Sequence, residues 1–156
     1  MTFNKNPTLG FLLHEVARLL RRRFEQKARQ MGLTRSQWQA IAYLSRNEGI
    51  HQAGLAELLD IEPITVGRIL DKLIERDLVE RRQHPSDRRT WQLYLRKEAY
   101  PLLDVMQTIA DDTRAEAMNG LSAKESAAMM SMLALMKSNL LEVGREPIDK
   151  KDGTYA

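Results

Sequence analysis

Residues Ile61 to Arg96 read IEPITVGRILDKLIERDLVERRQHPSDRRTWQLYLR, and this stretch decides the fold. In its first half, apolar residues recur three or four positions apart, a spacing that places them on one face of a helix. They are Val66, Ile69, Leu70, Leu73 and Ile74. Pro63 fits the first helical turn, where its missing N–H has no intrahelical partner. We therefore expect an amphipathic helix that begins close to Pro63.

After Val79 the apolar period changes from that of a helix to that of a strand, which predicts a β-hairpin. The alternating residues are Thr90, Gln92, Tyr94 and Arg96 on one side and Trp91, Leu93 and Leu95 on the other. Segment 83–89 separates the two candidate strands, and its Pro, Ser and Asp favour a turn. An amphipathic helix followed by a hairpin with an arginine-rich tip is typical of a winged helix-turn-helix domain.

The composition restricts the classes of protein to which the chain can belong. Its 156 residues suffice for one domain, or for a DNA-binding domain with an oligomerisation layer. The net charge is only +3, but nine Lys or Arg outnumber five Asp or Glu between Pro63 and Lys97, which favours an anionic partner. The lack of cysteine excludes disulfides, and no apolar run approaches the roughly 20 residues that cross a bilayer. We expect a cytoplasmic protein without a membrane segment.

Helical signals also precede the opening stretch. Apolar residues at steps of three and four predict a long first helix over residues 8–31. Thr34 has the position of an N-cap residue, so a second helix begins there. A short third helix over about residues 52–59 leaves only a brief turn before Pro63, as a helix-turn-helix motif requires. The sequence thus predicts a winged helix-turn-helix DNA-binding part over residues 34–96.

Two more helices are predicted after the hairpin, one reaching about Met118 and one from Ala123 to Val143. The second would be about 31 Å long at 1.5 Å per residue, which exceeds what a small winged domain needs for its own core. The first helix and these two are therefore expected to pair with a second copy of the chain. The predicted division is one domain over 1–156, with helical dimerisation parts over 8–31 and 97–144 and a flexible tail over 145–156. The expected fold class is mainly α with a small β-hairpin wing, a winged helix-turn-helix domain plus a helical dimerisation layer.

Four segments resemble the multiple-antibiotic-resistance-regulator (MarR) family of bacterial transcription factors. They are LAELL (residues 55–59), TVGRILDKL (65–73), LVER (78–81) and DRR (87–89). The resemblance implies a homodimeric repressor or activator that binds a pseudo-palindromic operator in double-stranded DNA and is often released by a small aromatic or phenolic anion. Gly67 replaces a residue that is usually a small hydroxyl in the family. Asp77 stands where glycine is usual, although Asp tolerates the left-handed conformation.

The candidate DNA-binding residues lie on the exposed helix face and the hairpin. They are Pro63, Ile64, Thr65, Arg68, Lys72, Arg81, Arg82, Arg88 and Arg89. Arg68 is the candidate base-reading residue, because bidentate contact of Arg with guanine is the commonest specific contact in the major groove. Either Arg88 or Arg89 is expected to enter a narrow minor groove, where the negative potential is enhanced. The alternative for one of these arginines is an ion pair with Asp87 that shapes the wing.

The remaining candidates have two interpretations each. Pro63, Ile64 and Thr65 can contact phosphate or a thymine methyl group. Arg81 and Arg82 contact phosphate or form a solvated strand face. His14, Arg18 and Trp38 are candidate lining residues of an effector pocket in which Arg18 would neutralise a carboxylate, or they are ordinary core and surface residues.

No catalytic, metal or cofactor site is predicted. His14, His51 and His84 lack ligand spacing, and the chain has neither a Gly-rich phosphate loop nor a nucleophile arrangement. The sequence therefore predicts a non-enzymatic, ligand-responsive transcriptional regulator. The alternative is a ligand-independent DNA-organising or protein-interaction module on the same fold.

Overall fold

The computed structural model describes residues 5–144, which form a mainly helical chain with one β-hairpin. The helices are α1 (Leu9–Ala28), α2 (Arg35–Ser45), α3 (Gln52–Leu59), α4 (Pro63–Glu75), α5 (Tyr100–Ala117) and α6 (Ala123–Val143). The strands are β1 (Val79–Gln83) and β2 (Trp91–Leu95). The predicted fold class is confirmed for the winged helix-turn-helix part. The tail expected at 145–156 lies outside the described residues.

Several helix boundaries follow from capping residues. Thr34 is the N-cap of α2 as predicted and forms a capping box with Gln37, and Ser122 accepts a hydrogen bond from the amide of Glu125 at the start of α6. The first predicted helix is α-helical only to Ala28 and continues to Met31 as a single 3₁₀ turn. The helix after the hairpin likewise begins with a 3₁₀ turn.

The described chain falls into two compact units, one ending at Ala117 and one beginning at Met118. The first unit contains the hydrophobic core, in which the largest fully buried side chains are Ile41, Leu44, Leu55, Val66, Leu70, Leu73, Val79 and Leu93. Trp38 is partly buried against this core and packs on Phe24 with 4.4 Å between ring centroids. In the second unit, none of the residues of α6 is buried.

The hairpin pairs β1 with β2 in antiparallel register, from Val79 opposite Leu95 to Gln83 opposite Trp91. The expected alternation of β2 holds at Leu93 and Leu95, which are buried, whereas Trp91 on the same side is half exposed. Trp91 lies nearer the tip, beyond the reach of the core. The alternating pattern predicted the side on which it lies but not its exposure.

Two residues before α3 hydrogen-bond to the middle residue of β2. The amide of Gly49 donates to the carbonyl oxygen of Leu93 at 2.8 Å, and the amide of Leu93 donates to the carbonyl oxygen of Ile50 at 2.9 Å. Gly49 has a φ of +88°, and a Cβ there would lie 3.2 Å from the hydroxyl oxygen of Tyr94. This position therefore favours glycine for both backbone and steric reasons. The hairpin is joined in this way to the chain that leads into α3.

The turn between the recognition helix α4 and the wing passes through Asp77. This residue has a φ of +57°, the left-handed conformation that glycine adopts most easily. The amide of Leu78 then donates to the carbonyl oxygen of Leu73 at 3.0 Å and closes the end of α4. Asp thus occupies the conformation expected at this position of the family pattern.

Among residues 5–144, none of the helices is both long and apolar enough for a bilayer crossing.

Candidate nucleic-acid interface

The recognition helix α4 is held by one face and exposes the other. Val66, Leu70 and Leu73 are fully buried in the core of the first unit. The predicted DNA-binding residues of α4 are all exposed: Pro63, Ile64, Thr65, Arg68 and Lys72. Ile64 exposes 70% of its surface, although it is a large apolar residue in the first turn. An apolar side chain held at the leading end of this helix is suited to contact with a thymine methyl group.

Arg68 lies on the exposed face with its guanidinium free. Within residues 5–144 the structure gives this side chain no ion pair and no hydrogen bond. By contrast, Lys72 approaches Glu75 at 3.3 Å, one turn further along the helix. The planar guanidinium presents its donors in a fixed fork that fits the acceptor pair of guanine. Arg68 can therefore contact a base without first breaking an intramolecular contact.

The two arginines of β1 already have partners in the protein. Arg81 contacts the carboxylate of Asp71 at 3.4 Å and so links the wing to α4. Arg82 pairs with Glu80, and its guanidinium carbon lies 4.2 Å from the centre of the Tyr94 ring. Both cations are partly neutralised within the chain. Direct binding of phosphate by either arginine would require it to share or exchange these partners.

Asp87 organises the tip of the wing. One of its carboxylate oxygens accepts a hydrogen bond from the amide of Arg89 at 3.0 Å, and the other accepts from the hydroxyl of Thr90 at 3.2 Å. The guanidinium of Arg89 also approaches Asp87 at 3.8 Å while 96% of its side chain remains exposed. Across the turn, the imidazole Nδ1 of His84 accepts from the amide of Ser86 at 3.2 Å. These contacts fix the turn from which the two arginines project.

Arg88 differs from Arg89 in its charge environment. Among residues 5–144 the one hydrogen bond of Arg88 involves its backbone carbonyl, which accepts from Nε2 of Gln83 at 3.3 Å. In the part of the chain that the structure describes, its guanidinium has no acidic partner. Of the two arginines, Arg88 is thus the one whose charge is available without competition.

The three residues predicted to line an effector pocket line neither the cavity between α1 and α5 nor the one beside the hairpin. Arg18 hydrogen-bonds to Glu15, and this bond raises the pKa of the arginine and lowers that of the glutamate. His14 is exposed on α1, and Trp38 packs against the core. The cavity between α1 and α5 has a volume of about 670 Å³. Its lining includes Lys27, Met31, Leu102, Val105, Ile109 and Asp112.

Ion pairs connect α1 to its neighbours within the first unit. Glu116 of α5 accepts from Arg23 at 2.7 Å and contacts Lys27 at 2.8 Å, which lowers its pKa from 4.5 to about 2, with the Arg23 hydrogen bond as the largest cause. Glu25 pairs with Arg35 of α2. Arg76, at the C-terminal end of α4, donates a hydrogen bond to the carbonyl oxygen of Gly32, which follows α1. These partners belong to different elements and lie 10 to 93 residues apart in sequence, so periodicity and motif spacing did not reveal them.

Taken together, the buried motif, the free arginine of α4 and the cationic wing define a winged helix-turn-helix DNA-binding protein. Residues 31–90 match the model of the MarR family. Over these residues the chain is similar to the MarR family of transcriptional regulators. Among residues 5–144 there is also no group of His, Asp or Glu placed to hold a metal ion.

Solved structures with the same fold cover most of the chain. The transcriptional regulator PA3341 has 27% identity and a TM-score of 0.76, over 86% of this chain and 99% of that one. A MarR transcriptional regulator from Methanosarcina mazei Go1 has 23% identity and a TM-score of 0.77, over 86% and 97%. The wild-type apo form of MarR from E. coli has 22% identity and a TM-score of 0.74, over 85% and 98%.

Proposed function

We propose that this protein is a homodimeric repressor that binds a pseudo-palindromic operator and is released by a small aromatic or phenolic anion. The proposal rests above all on Arg68, which is exposed and has no partner among residues 5–144. On the opposite face of the same helix, Val66, Leu70 and Leu73 are fully buried. Arg88 at the wing tip supplies a second cation that has no acidic partner among residues 5–144. A base-reading side chain and a minor-groove arginine in one module suit sequence-specific binding to a half-site.

The dimer is supported by exposed apolar residues at one end of α1 and along α6. The large exposed ones are Leu9, Phe11, Leu12, Leu13, Val16 and Leu19 on α1, and Met130, Met132, Leu135, Leu140, Leu141 and Val143 on α6. Exposed apolar surface of this kind on each helix marks an interaction site, because leaving it in water is unfavourable. A second copy that covers both helices would give a two-fold dimer with recognition helices about 34 Å apart, in successive major grooves.

The effector part of the proposal concerns α1. Arg18 is half exposed and its only ionic partner in the described chain is Glu15 on the preceding turn, so an aromatic carboxylate could take the place of Glu15. His14 and Trp38 remain the proposed neighbours of such a ligand. Because its target is DNA, we infer that the protein acts in the bacterial cytoplasm.

Selection of DNA sequences followed by footprinting tests this function. We expect a palindromic site with two protected half-sites whose centres are about 10 base pairs apart. Occupancy should fall when a small aromatic acid such as benzoate is added at constant ionic strength. Protection without sequence preference would instead support the alternative, a DNA-organising module that does not respond to ligand.

Sedimentation of the full chain tests the dimer separately. We expect a dimer at micromolar concentration, since the apolar faces of α1 and α6 would otherwise be solvated. A monomer at that concentration would contradict the homodimer and with it the palindromic operator.

A further inference from the structure

We propose that Gln52 is a positioning residue that sets the orientation of the recognition helix, and that Gly67 provides the space its side-chain amide needs. Gln52 is the first residue of α3 and is half-buried. It would act on base discrimination through Arg68 without itself reading a base. The inference rests on the proposed function of α4 as the reading helix.

The amide of Gln52 connects the first residues of the two helices of the motif. Its Nε2 donates a hydrogen bond to the carbonyl oxygen of Pro63 at 2.9 Å. At the opposite end of α3, the amide of Ile61 donates to the carbonyl oxygen of Ala56 at 3.1 Å and closes the turn. The short turn thus fixes one end of α3 against α4, and Gln52 fixes the other.

Gly67 lies one turn after Pro63, where the amide of Gln52 crosses α4. A Cβ at position 67 would lie 2.9 Å from Nε2 of Gln52, closer than real Cβ contacts allow. The next nearest atoms, at 3.8 and 4.0 Å, also belong to Gln52. Glycine inside a helix costs about 1 kcal/mol relative to alanine. Here the missing Cβ leaves room for the amide of Gln52 to lie directly against the backbone of the recognition helix.

This contact acts on the part of α4 that is proposed to read DNA. Gln52 approaches α4 at Pro63 and at Gly67. Thr65 lies between these two residues, and Arg68 directly follows Gly67. Bidentate contact with a base edge has strict geometry, whereas a phosphate accepts a cation from many directions. A small displacement of α4 should therefore reduce base discrimination more than it reduces non-specific binding.

Four variants test the inference: Gln52→Ala, Gly67→Ala, the double variant, and Gln107→Ala as a control. Gln107 also uses its amide, but on an exposed contact with Asp111 of α5. The measured quantity is the ratio of Kd for random DNA to Kd for the selected operator, at fixed salt. Urea unfolding of each free protein provides the second measurement.

We expect each single variant to lower the discrimination ratio about tenfold, while the Kd for random DNA changes by less than about twofold. In the double variant, Gly67→Ala should cause no further loss of discrimination, because the amide that the Cβ would displace is already gone. In the wild-type background, Gly67→Ala should lower the urea unfolding midpoint or leave it unchanged. In the Gln52→Ala background, the same substitution should raise the midpoint. Gln107→Ala should keep the wild-type ratio.

Equal losses of specific and non-specific affinity, or additive effects of the two substitutions, would overturn the inference, since either result means that Gln52 does not position α4 through Gly67. If the wild-type protein discriminates and the variants discriminate equally well, the inference alone fails. If the wild-type protein shows no sequence preference, the proposed function fails and the inference with it.

Discussion

Arg76 donates a hydrogen bond from Nη1 to the carbonyl oxygen of Gly32 at 2.9 Å, and this bond ties the end of the recognition helix to the turn between α1 and α2. Arg76 is the C-cap residue of α4, and Gly32 has a φ of +64°. A cation at this position also interacts favourably with the negative end of the helix dipole. Two segments distant in sequence are held together by one side chain.

Replacing Arg76 by Ala should lower the free energy of unfolding by about 1 kcal/mol, the typical net value of such a hydrogen bond. Urea unfolding at fixed protein concentration measures it. Arg114→Ala is the matched control, because within residues 5–144 Arg114 pairs only with Asp111, which is also exposed and lies on the same helix. Exposed pairs of that type contribute about 0.3 to 0.5 kcal/mol. Equal losses in the two variants would show that the contact with Gly32 does not hold the turn.

Replacing Arg68 by Ala should relax base preference at one position of each half-site, by about 1 to 3 kcal/mol of discrimination. Arg68→Lys keeps the charge but loses the bidentate fork, so it should restore non-specific affinity and not discrimination. Competition binding against single-base variants of the operator separates the two quantities. An unchanged base preference in Arg68→Ala would show that another residue reads the base.

Replacing Arg88 by Ala should weaken binding to all sequences and reduce the slope of log K against log salt concentration by about 1. Arg89→Ala should have the smaller effect, because Arg89 already shares its charge with Asp87 at 3.8 Å. Affinity measured at several salt concentrations gives both slopes. The reverse order would identify Arg89 as the arginine that enters the minor groove.

The ion-pair cluster of Glu116 predicts a dependence of stability on pH. Hydrogen bonds from Arg23 and then Lys27 lower the pKa of Glu116 from 4.5 to about 2. A group with a lowered folded-state pKa stabilises the fold above its unfolded pKa, and this stabilisation is lost as the pH falls through its folded value. Wild type should therefore be more stable than Glu116→Gln at pH 6, and the difference should disappear between about pH 4.5 and pH 2.

Urea unfolding of both proteins across that range, at constant salt, measures the difference. Glu57→Gln serves as a control, because Glu57 has no ion pair with any other residue in the range 5–144. Its difference from wild type should not follow the same pH course. A constant difference between wild type and Glu116→Gln down to pH 2 would contradict the role of the cluster.

The sequence predicted the helices well, because apolar period and capping residues are local signals. The bounds of α3 and α6 agree with the expected ones, and the capping box at Thr34 is present. The 3₁₀ turns at the end of α1 and before α5 were not expected. They depend on how a helix end meets its neighbours, which local patterns do not encode.

The sequence predicted which cations of the candidate site are exposed, but not which acidic side chains pair with them. Periodicity placed Arg68 on the open face of α4, yet it could not show that Arg81 and Arg82 pair with Asp71 and Glu80. Gln52 was missed for the same reason, since its contact with Pro63 joins two helices. Gly67 departs from the family pattern, and the sequence alone does not explain it, because the side chain closest to a Cβ at this position, Gln52, belongs to another helix.

The pairing of Leu93 with Gly49 and Ile50 has a consequence for regulation. A wing that is hydrogen-bonded to the chain entering α3 moves together with the helix-turn-helix motif. The step along the DNA axis between the minor-groove and major-groove contacts is then constant within a half-site. In the proposed dimer, an effector would therefore act by changing the distance between the two recognition helices. We expect such an effector to alter the tolerance to operator spacing and to leave the preferred half-site sequence unchanged.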